Sequence, residues 1–471
     1  MTTSTGQWSK SRRTLKLKPE QERGVDLILR NAGGRLFLHP GKGKTAVVLS
    51  AFQILKKQNL VDHLLVLAPL RVITTSWPAQ IEHWDAFEGL TYSIVHGDRS
   101  DAVSKDADIY LMNYEGLLSK QFEPGSRALE NFLSKGRFML ACDEATKLKN
   151  PSSRRFKTLK KMLGRFAPRV VMTGTPKPKS LEDLFPICYT TDLGVDLGQY
   201  VTHFRSTYMQ RHPSGFGYMP QHGAMEKVAA KIAHSTLQLE YEEAVPSEVI
   251  PIWVPMPPQI KKQYEELRKE FLTVLGDKVV MSPNSGVLYQ KLKQVVQGAI
   301  YNEDGTTYTV LHDAKLDALE ALLEELNGEP ALVLVSYKHD VDRIRERLGA
   351  EIPYIGSGTS ATAGAAACRR FSAGELPWLL GHPSSIALGV DGLQQSCNNV
   401  IWFGLSDSWE ETYQANLRVV RQGSKADQVF IYQILVDCPT ERATMRNVTQ
   451  KEANEAEFCR LLREEMDEYM P

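Results

Sequence analysis

Gly41-Lys42-Gly43-Lys44-Thr45 follows a short strand pattern, Gly34–Leu38, and leads into a helical pattern over Ala46–Lys57. In that setting the motif is a phosphate cradle. Glycines let backbone N–H groups approach an anion, and a helix N-terminus adds a favourable dipole. Lys44 is expected to neutralise the β- and γ-phosphates of a nucleotide, and Thr45 to ligate magnesium. Position 38, where the longer form of the motif has glycine, is leucine, so the match is to the shorter GxGKT form. The competing explanation is a lysine-bearing turn.

Asp143-Glu144 ends an apolar run, Phe138–Cys142. A carboxylate at a buried strand end can hold a magnesium shell, and an adjacent glutamate can polarise the attacking water. Singly, such a pair is also a common helix cap. Together with the lysine loop it points to ATP hydrolysis with Mg2+. Val170–Met172 stops at Thr173-Gly174-Thr175-Pro176, whose hydroxyls are placed to sense a γ-phosphate or couple it to a track. Far downstream a helix is expected over 412–420, and Gln414, Arg418 and Arg421 stand at i, i+4 and i+7, the spacing of one helical face. Arginines there would stabilise a transferring phosphoryl group, against the alternative of a solvated stripe.

The elements that must position these groups are short apolar runs alternating with helices, which imply parallel sheets with chemistry at the strands' C-terminal ends. Leu64–Ala68 is a further strand, with a helix expected over 76–87. The pattern returns in strands Leu332–Ser336, Ile386–Leu388, Val400–Phe403 and Val429–Leu435. The fold class expected is α/β, with two tandem lobes, each a parallel sheet flanked by helices, and short, mostly helical inserts. The expected domains are residues 1–245, with the phosphate loop, and 246–471.

Composition narrows the class without naming it. Apolar residues are 42% and charged residues 24% of 471, and net charge is zero, so nucleic-acid contact must use a local patch. The six cysteines stand singly, without zinc-ligand spacing. No apolar run is long enough to span a membrane, and the basic N-terminus lacks a secretory core. The expected location is the cytoplasm, or the host cytoplasm if a phage encodes the chain. Arg154, Arg155, Lys157, Lys160, Lys161 and Arg165 form a basic stretch that suits phosphates as well as it suits water.

Over about residues 15–442 the chain resembles the superfamily-two helicase-like ATPases of the Swi/Snf type, in their minimal phage and bacterial form. The extended string Asp143-Glu144-Ala145-Thr146-Lys147-Leu148-Lys149-Asn150 carries the resemblance most specifically. Pro69-Leu70 with Trp77, Glu82 and Trp84 is similar to motif Ia, and Asn113-Tyr114-Glu115 to the next track-binding turn. His382–Ser385 with Gly389, Asp391, Gly392 and Leu393 resembles motif V; Gln414, Arg418, Arg421 and Gly423 resemble motif VI. The resemblance implies two RecA-like lobes with ATP in the cleft between them, and adenine read by Gln21. Gly41, Lys42, Gly43, Lys44, Thr45 and Gln414 would complete the nucleotide site.

Nucleic acid is expected at Leu70, Arg71, Asn113, Tyr114, Lys147, Lys149 and Thr175. Thr146 replaces the histidine that usually links the two sites. Function is then expected to be translocation on duplex or branched DNA, remodelling DNA or protein–DNA complexes, with targeting by a protein partner. The alternatives are a strand-separating helicase on single-stranded DNA or RNA, and a non-catalytic scaffold. A wedge hairpin in the second lobe would favour strand separation, and the sequence marks none.

Overall fold

The computed structural model describes residues 12–39, 41–96, 99–176, 180–212, 217–239, 245–276, 283–349, 351–387, 390, 392–421 and 423–466. The chain divides into two compact units: Met1–Tyr241 with Ala453–Pro471, and Glu242–Glu452.

The first unit is built on β1 (Gly33–Phe37), β2 (His63–Ala68), β3 (Tyr92–Val95), β4 (Ile109–Asn113), β5 (Phe138–Asp143) and β6 (Phe166–Thr173). It also contains the hairpin β7 (Met209–Arg211) and β8 (Tyr218–Pro220), and a short β9 (Thr236–Gln238). Seven strands form one sheet in the order β3-β4-β2-β5-β6-β1-β9, every pairing parallel. Strands β1, β2, β4 and β5 are buried at every position. This is why β2, β4 and β5 read as near-continuous apolar runs rather than alternating ones; in β1 the buried Arg35 interrupts the run and pairs with Asp192 and Asp196.

The second unit carries β10 (Ser247–Val254), the hairpin β11 (Ala299–Tyr301) and β12 (Tyr308–Val310), β13 (Ala331–Leu334), β14 (Tyr354–Ile355), β15 (Trp378–Gly381), β16 (Asn399–Trp402) and β17 (Val429–Val436). Its main sheet, β10-β17-β16-β13-β15-β14, is also wholly parallel. The fold class is therefore the expected one. The inserts are helices Pro258–Gly276 and Pro283–Gln297 together with the hairpin.

Two local expectations are corrected. Ile386 and Ala387 are not in a strand: Pro383–Ala387 is a helix, and the ladder strand is β15, which ends at Gly381; Leu388 lies outside the described residues. Pro383 has no N–H to give a ladder but suits a helix start. Ile386 folds back so closely that a β-carbon at Gly381 would meet its Cγ1 at 2.4 Å. The helix expected over 76–87 spans Ser76–His83, and an extended Trp84 then leads into a separate 3-10 turn, Asp85–Phe87.

One long helix, Pro439–Met466, begins in the second unit. Its distal residues Phe458, Leu462 and Met466 are buried in the core of the first. The Met466 sulfur accepts a hydrogen bond from the Gln238 N–H on β9 at 3.3 Å. No described helix is long and apolar enough to cross a membrane.

Candidate active site

Strand order brings the expected motifs of the first unit into one row. β6 lies between β1 and β5, so the phosphate loop and Asp143 stand two strands apart. In register, Phe37 pairs with Thr173 and Asp143 with Met172, which brings all three strand ends out at one level. On the other side of β5, Leu67 pairs with Cys142 and Ala68 with Asn113. Along the C-terminal edge the row runs: turn 113–115, the segment after Ala68, Asp143-Glu144, Thr173-Gly174-Thr175, phosphate loop. Neighbouring strands stand about 4.8 Å apart, so the loop and Asp143 emerge roughly 10 Å from each other.

The loop is shaped for an anion. Gly41 and Gly43 have φ of 85° and 78°, in the left-handed region where other residues are strained. Gly43 precedes helix Lys44–Lys57, whose N-terminus has no side-chain cap and points its dipole at the loop. The Lys44 ammonium donates to the Leu38 carbonyl at 2.7 Å, inside the loop it would serve. Gln21 braces the loop from outside. Its Nε2 donates to the Lys42 carbonyl at 3.1 Å, and its Oε1 accepts from the Lys18 N–H at 2.9 Å.

Asp143 is buried and held on three sides. Its Oδ2 accepts from Trp77 Nε1 at 3.0 Å, and its Oδ1 from the Glu144 N–H at 3.0 Å. Its main-chain oxygen accepts from the Tyr114 hydroxyl at 2.8 Å. Burial, first, and then the neighbouring Cys142, Asp143 and Glu144 push the Tyr114 phenol well above its ordinary range, so it stays a donor. Glu144 adopts φ 53°, ψ 56°, an uncommon backbone state for a non-glycine residue. Such strain is a frequent companion of chemistry.

Among the described residues no cluster of three or more His, Cys, Asp or Glu forms a metal cage. A donor set of one hydroxyl, Thr45, and one carboxylate, Asp143, instead fits magnesium, which keeps its waters and shares phosphate oxygens.

Residues expected to meet nucleic acid divide into two groups. Asn113, Tyr114 and Thr175 are buried, so direct contact is not available to them as they stand. Burial leaves Asn113 Oδ1 and Thr175 Oγ1 without a protein partner. Leu70 and Lys147 are exposed, and Arg71 and Lys149 are half-buried. The basic stretch also divides. Arg155 pairs with Glu115, Arg165 with Glu130, and Lys160 donates to the Gln199 carbonyl while lying 4.1 Å from the Tyr189 ring centroid. Arg154, Lys157 and Lys161, at i, i+3 and i+7, are exposed. Their helix Arg154–Lys160 is capped by Ser153 and anchored by buried Phe156 and Leu159.

In the second unit, Gln414 is buried on helix Trp409–Asn416, which Ser408 caps by accepting from the Glu411 N–H. The helix ends at Asn416, so Gln414, Arg418 and Arg421 do not share an α-helical face. The Asn416 side chain accepts from Trp402 Nε1 at 3.0 Å, and the backbone tightens into i→i+3 bonds from the Arg418 and Val419 N–H groups. The Arg418 guanidinium donates to the Ala387 carbonyl, and Gln395 Nε2 donates to the Gly423 carbonyl at 3.2 Å. Motif V and motif VI segments thus meet. Of motif V, Gly389 and Asp391 lie outside the described residues.

The SNF2-related domain family matches residues 15–211, and the helicase conserved C-terminal domain family matches residues 314–423. Protein p41 of Acyrthosiphon pisum secondary endosymbiont phage 1 is 25% identical over 474 residues, covering 94% of this chain and 97% of its own. Solved structures that the chain matches include a Sulfolobus solfataricus SWI2/SNF2 ATPase core in complex with dsDNA, at 20% identity and TM-score 0.44, covering 97% of each chain. The Sulfolobus solfataricus SWI2/SNF2 ATPase core domain is 20% identical at TM-score 0.42, covering 99% of this chain and 98% of its own. The two family matches fall one on each unit, the first across the phosphate loop and Asp143-Glu144, the second across the arginine turn. The chain therefore carries an SNF2-related domain followed by a helicase conserved C-terminal domain, which supports a Swi/Snf-type superfamily-two helicase-like ATPase, a nucleic-acid-dependent ATPase.

Proposed function

We propose that the chain hydrolyses ATP on binding duplex or branched DNA and uses the cycle to translocate and to remodel DNA or protein–DNA complexes. The observation that carries this reading is the row along the first sheet: the phosphate loop at one end, Asp143-Glu144 with exposed Lys147 just after it in the middle, and the segment after β2 with exposed Leu70 beyond. The exposed cations Arg154, Lys157 and Lys161 add a face suited to a phosphate backbone, which sequence-independent tracking requires.

In this reading Lys44 and the loop amides bind the β- and γ-phosphates, and Gln21 reads adenine beside the loop. Glu144 accepts a proton from, and orients, the attacking water. Thr45 and Asp143 would hold magnesium, which supplies charge neutralisation on the phosphoryl oxygens when bound. Arg418 and Arg421 serve the developing charge in the transition state, with Gln414 completing the nucleotide contacts.

One feature bears on the strand-separating alternative. The second unit does hold a hairpin, β11–β12, but its exposed tip, 302–307, is polar and carries Glu303 and Asp304. Hydrogen bonds from Thr307 first, and then from Thr306, hold the Asp304 carboxyl down at about 2, so the tip is anionic at any working pH. A wedge that opens strands needs an apolar or aromatic tip to replace a stacked base, and this one has none. Translocation without strand separation fits better.

The deciding experiment is steady-state ATP hydrolysis with no nucleic acid, duplex DNA, forked DNA, single-stranded DNA or RNA, using Glu144→Gln as the blank. Stimulation by duplex or forked DNA supports translocation. Stimulation by single strands or RNA alone supports the helicase alternative, and hydrolysis under no condition supports the scaffold.

A further inference from the structure

Each of the two turns that follow β2 and β4 sends one buried aromatic residue to the same aspartate. After β2 the chain makes a short helix, Leu70–Thr74, and then helix Ser76–His83, which carries Trp77. After β4 comes the 3-10 turn Tyr114–Leu118, which begins with Tyr114. Trp77 is fully enclosed and Tyr114 is 1% exposed, so neither hydrogen bond is open to water. The indole N–H is a single fixed donor on a rigid ring, and here it meets Asp143 Oδ2 at 3.0 Å. The Tyr114 hydroxyl meets the Asp143 main-chain oxygen at 2.8 Å.

Either turn can therefore shift only by moving Asp143, or by leaving a polar atom buried without its partner. At position 114 packing alone would be served as well by phenylalanine; the hydrogen bonds aimed at one residue are what packing leaves unexplained. The surface side of the same two segments carries Leu70 and Arg71 on one, and Glu115 with its partner Arg155 on the other.

We propose that Trp77 and Tyr114 are positioning residues that transmit nucleic-acid contact at the β2 and β4 turns to the Asp143 carboxylate, and so to hydrolysis. This rests on the reading of Asp143 as the magnesium-side carboxylate. Because binding coupling is reciprocal, nucleotide must alter duplex affinity through the same two side chains.

The test is the Kd of a fluorescent duplex, by anisotropy, with and without a magnesium complex of a non-hydrolysable ATP analogue. It is made on wild type, Trp77→Phe and Tyr114→Phe. Wild type is expected to change its duplex Kd about fivefold or more on adding nucleotide, the usual scale of coupling. In each variant that change falls to within about twofold, and the ratio of DNA-stimulated to basal hydrolysis falls with it. Tyr114→Phe removes one oxygen and keeps the ring, so it carries the test should Trp77→Phe fail to fold. Wild-type coupling retained in a folded Tyr114→Phe and in Trp77→Phe overturns the relay alone. Wild-type hydrolysis that duplex does not stimulate overturns the functional reading and the relay with it.

Discussion

A β-carbon at position 43 would stand 2.1 Å from Gln21 Nε2, which itself donates to the Lys42 carbonyl at 3.1 Å. The brace and the glycine are thus fitted to each other. Gly43→Ala is expected to fail twice, through that collision and through its φ of 78°. Nucleotide affinity should fall at least ~10-fold, for a combined penalty of roughly 1–3 kcal/mol. Gln21→Ala in the same chain relieves the collision but also removes the adenine contact, so affinity should not return to the wild-type level. Calorimetric titration of both variants with ATP analogue checks this, and equal affinity in Gly43→Ala and wild type would remove the cradle assignment.

Lys44→Ala and Glu144→Gln are each expected to abolish hydrolysis, by about 100-fold or more, on the scale of losing one preorganised charge or a general base. Arg421→Ala should lower turnover ~1000-fold while ATP binding stays near wild type, the pattern of a group that acts only in the transition state. Single-turnover hydrolysis beside nucleotide titration separates the two effects. Wild-type turnover in Arg421→Ala would remove the arginine from the chemistry.

The division of the basic stretch predicts a division in salt dependence. Replacing Arg154, Lys157 and Lys161 with alanine should weaken duplex binding and flatten the slope of log K against log salt by ~0.9 per lost phosphate contact. Arg165→Ala, which removes a partner of Glu130, should leave the slope where it was. Identical slopes in the triple variant and wild type would move the track elsewhere.

Much of the first unit was legible because a strand buried on both faces leaves a continuous apolar run. Asp143-Glu144 and Thr173-Gly174-Thr175 each sit at the end of such a run, and the lysine loop follows a strand that buried Arg35 interrupts. What the runs do not carry is order across the sheet, so β6 standing between β1 and β5 was invisible. Nor do they carry side-chain reach: Trp77 and Asp143 meet across 66 residues of sequence. The arginine turn was misjudged for a tertiary reason. Gln414 to Arg421 has helical spacing, but buried Trp402 takes the Asn416 side chain and the helix stops there. At Ile386–Leu388 three apolar residues were too few to separate strand from helix.

Lys315 and Glu441 form an ion pair at 2.9 Å with side chains 1% and 2% exposed, and Lys315 also donates to the Phe403 carbonyl at 3.2 Å. Removing one partner strands the other charge in the interior at a cost of ~3–5 kcal/mol. Lys315→Met or Glu441→Gln is therefore expected to lower the melting temperature by ~10 °C, as the usual relation for a unit of this size gives. The double variant Lys315→Met/Glu441→Leu should recover most of the loss. Scanning calorimetry reads all three, and single variants that melt with wild type would mean water reaches the pair.

The helix Pro439–Met466 also sets an order of assembly. During synthesis the N-terminal unit leaves the ribosome with its sheet complete but with the place of Phe458, Leu462 and Met466 vacant. That apolar surface stays open while the whole of the second unit is being made, the period when a nascent chain is most exposed to aggregation. The distal turns of that helix act as a clasp: of the two units, the one translated first is the last to be finished.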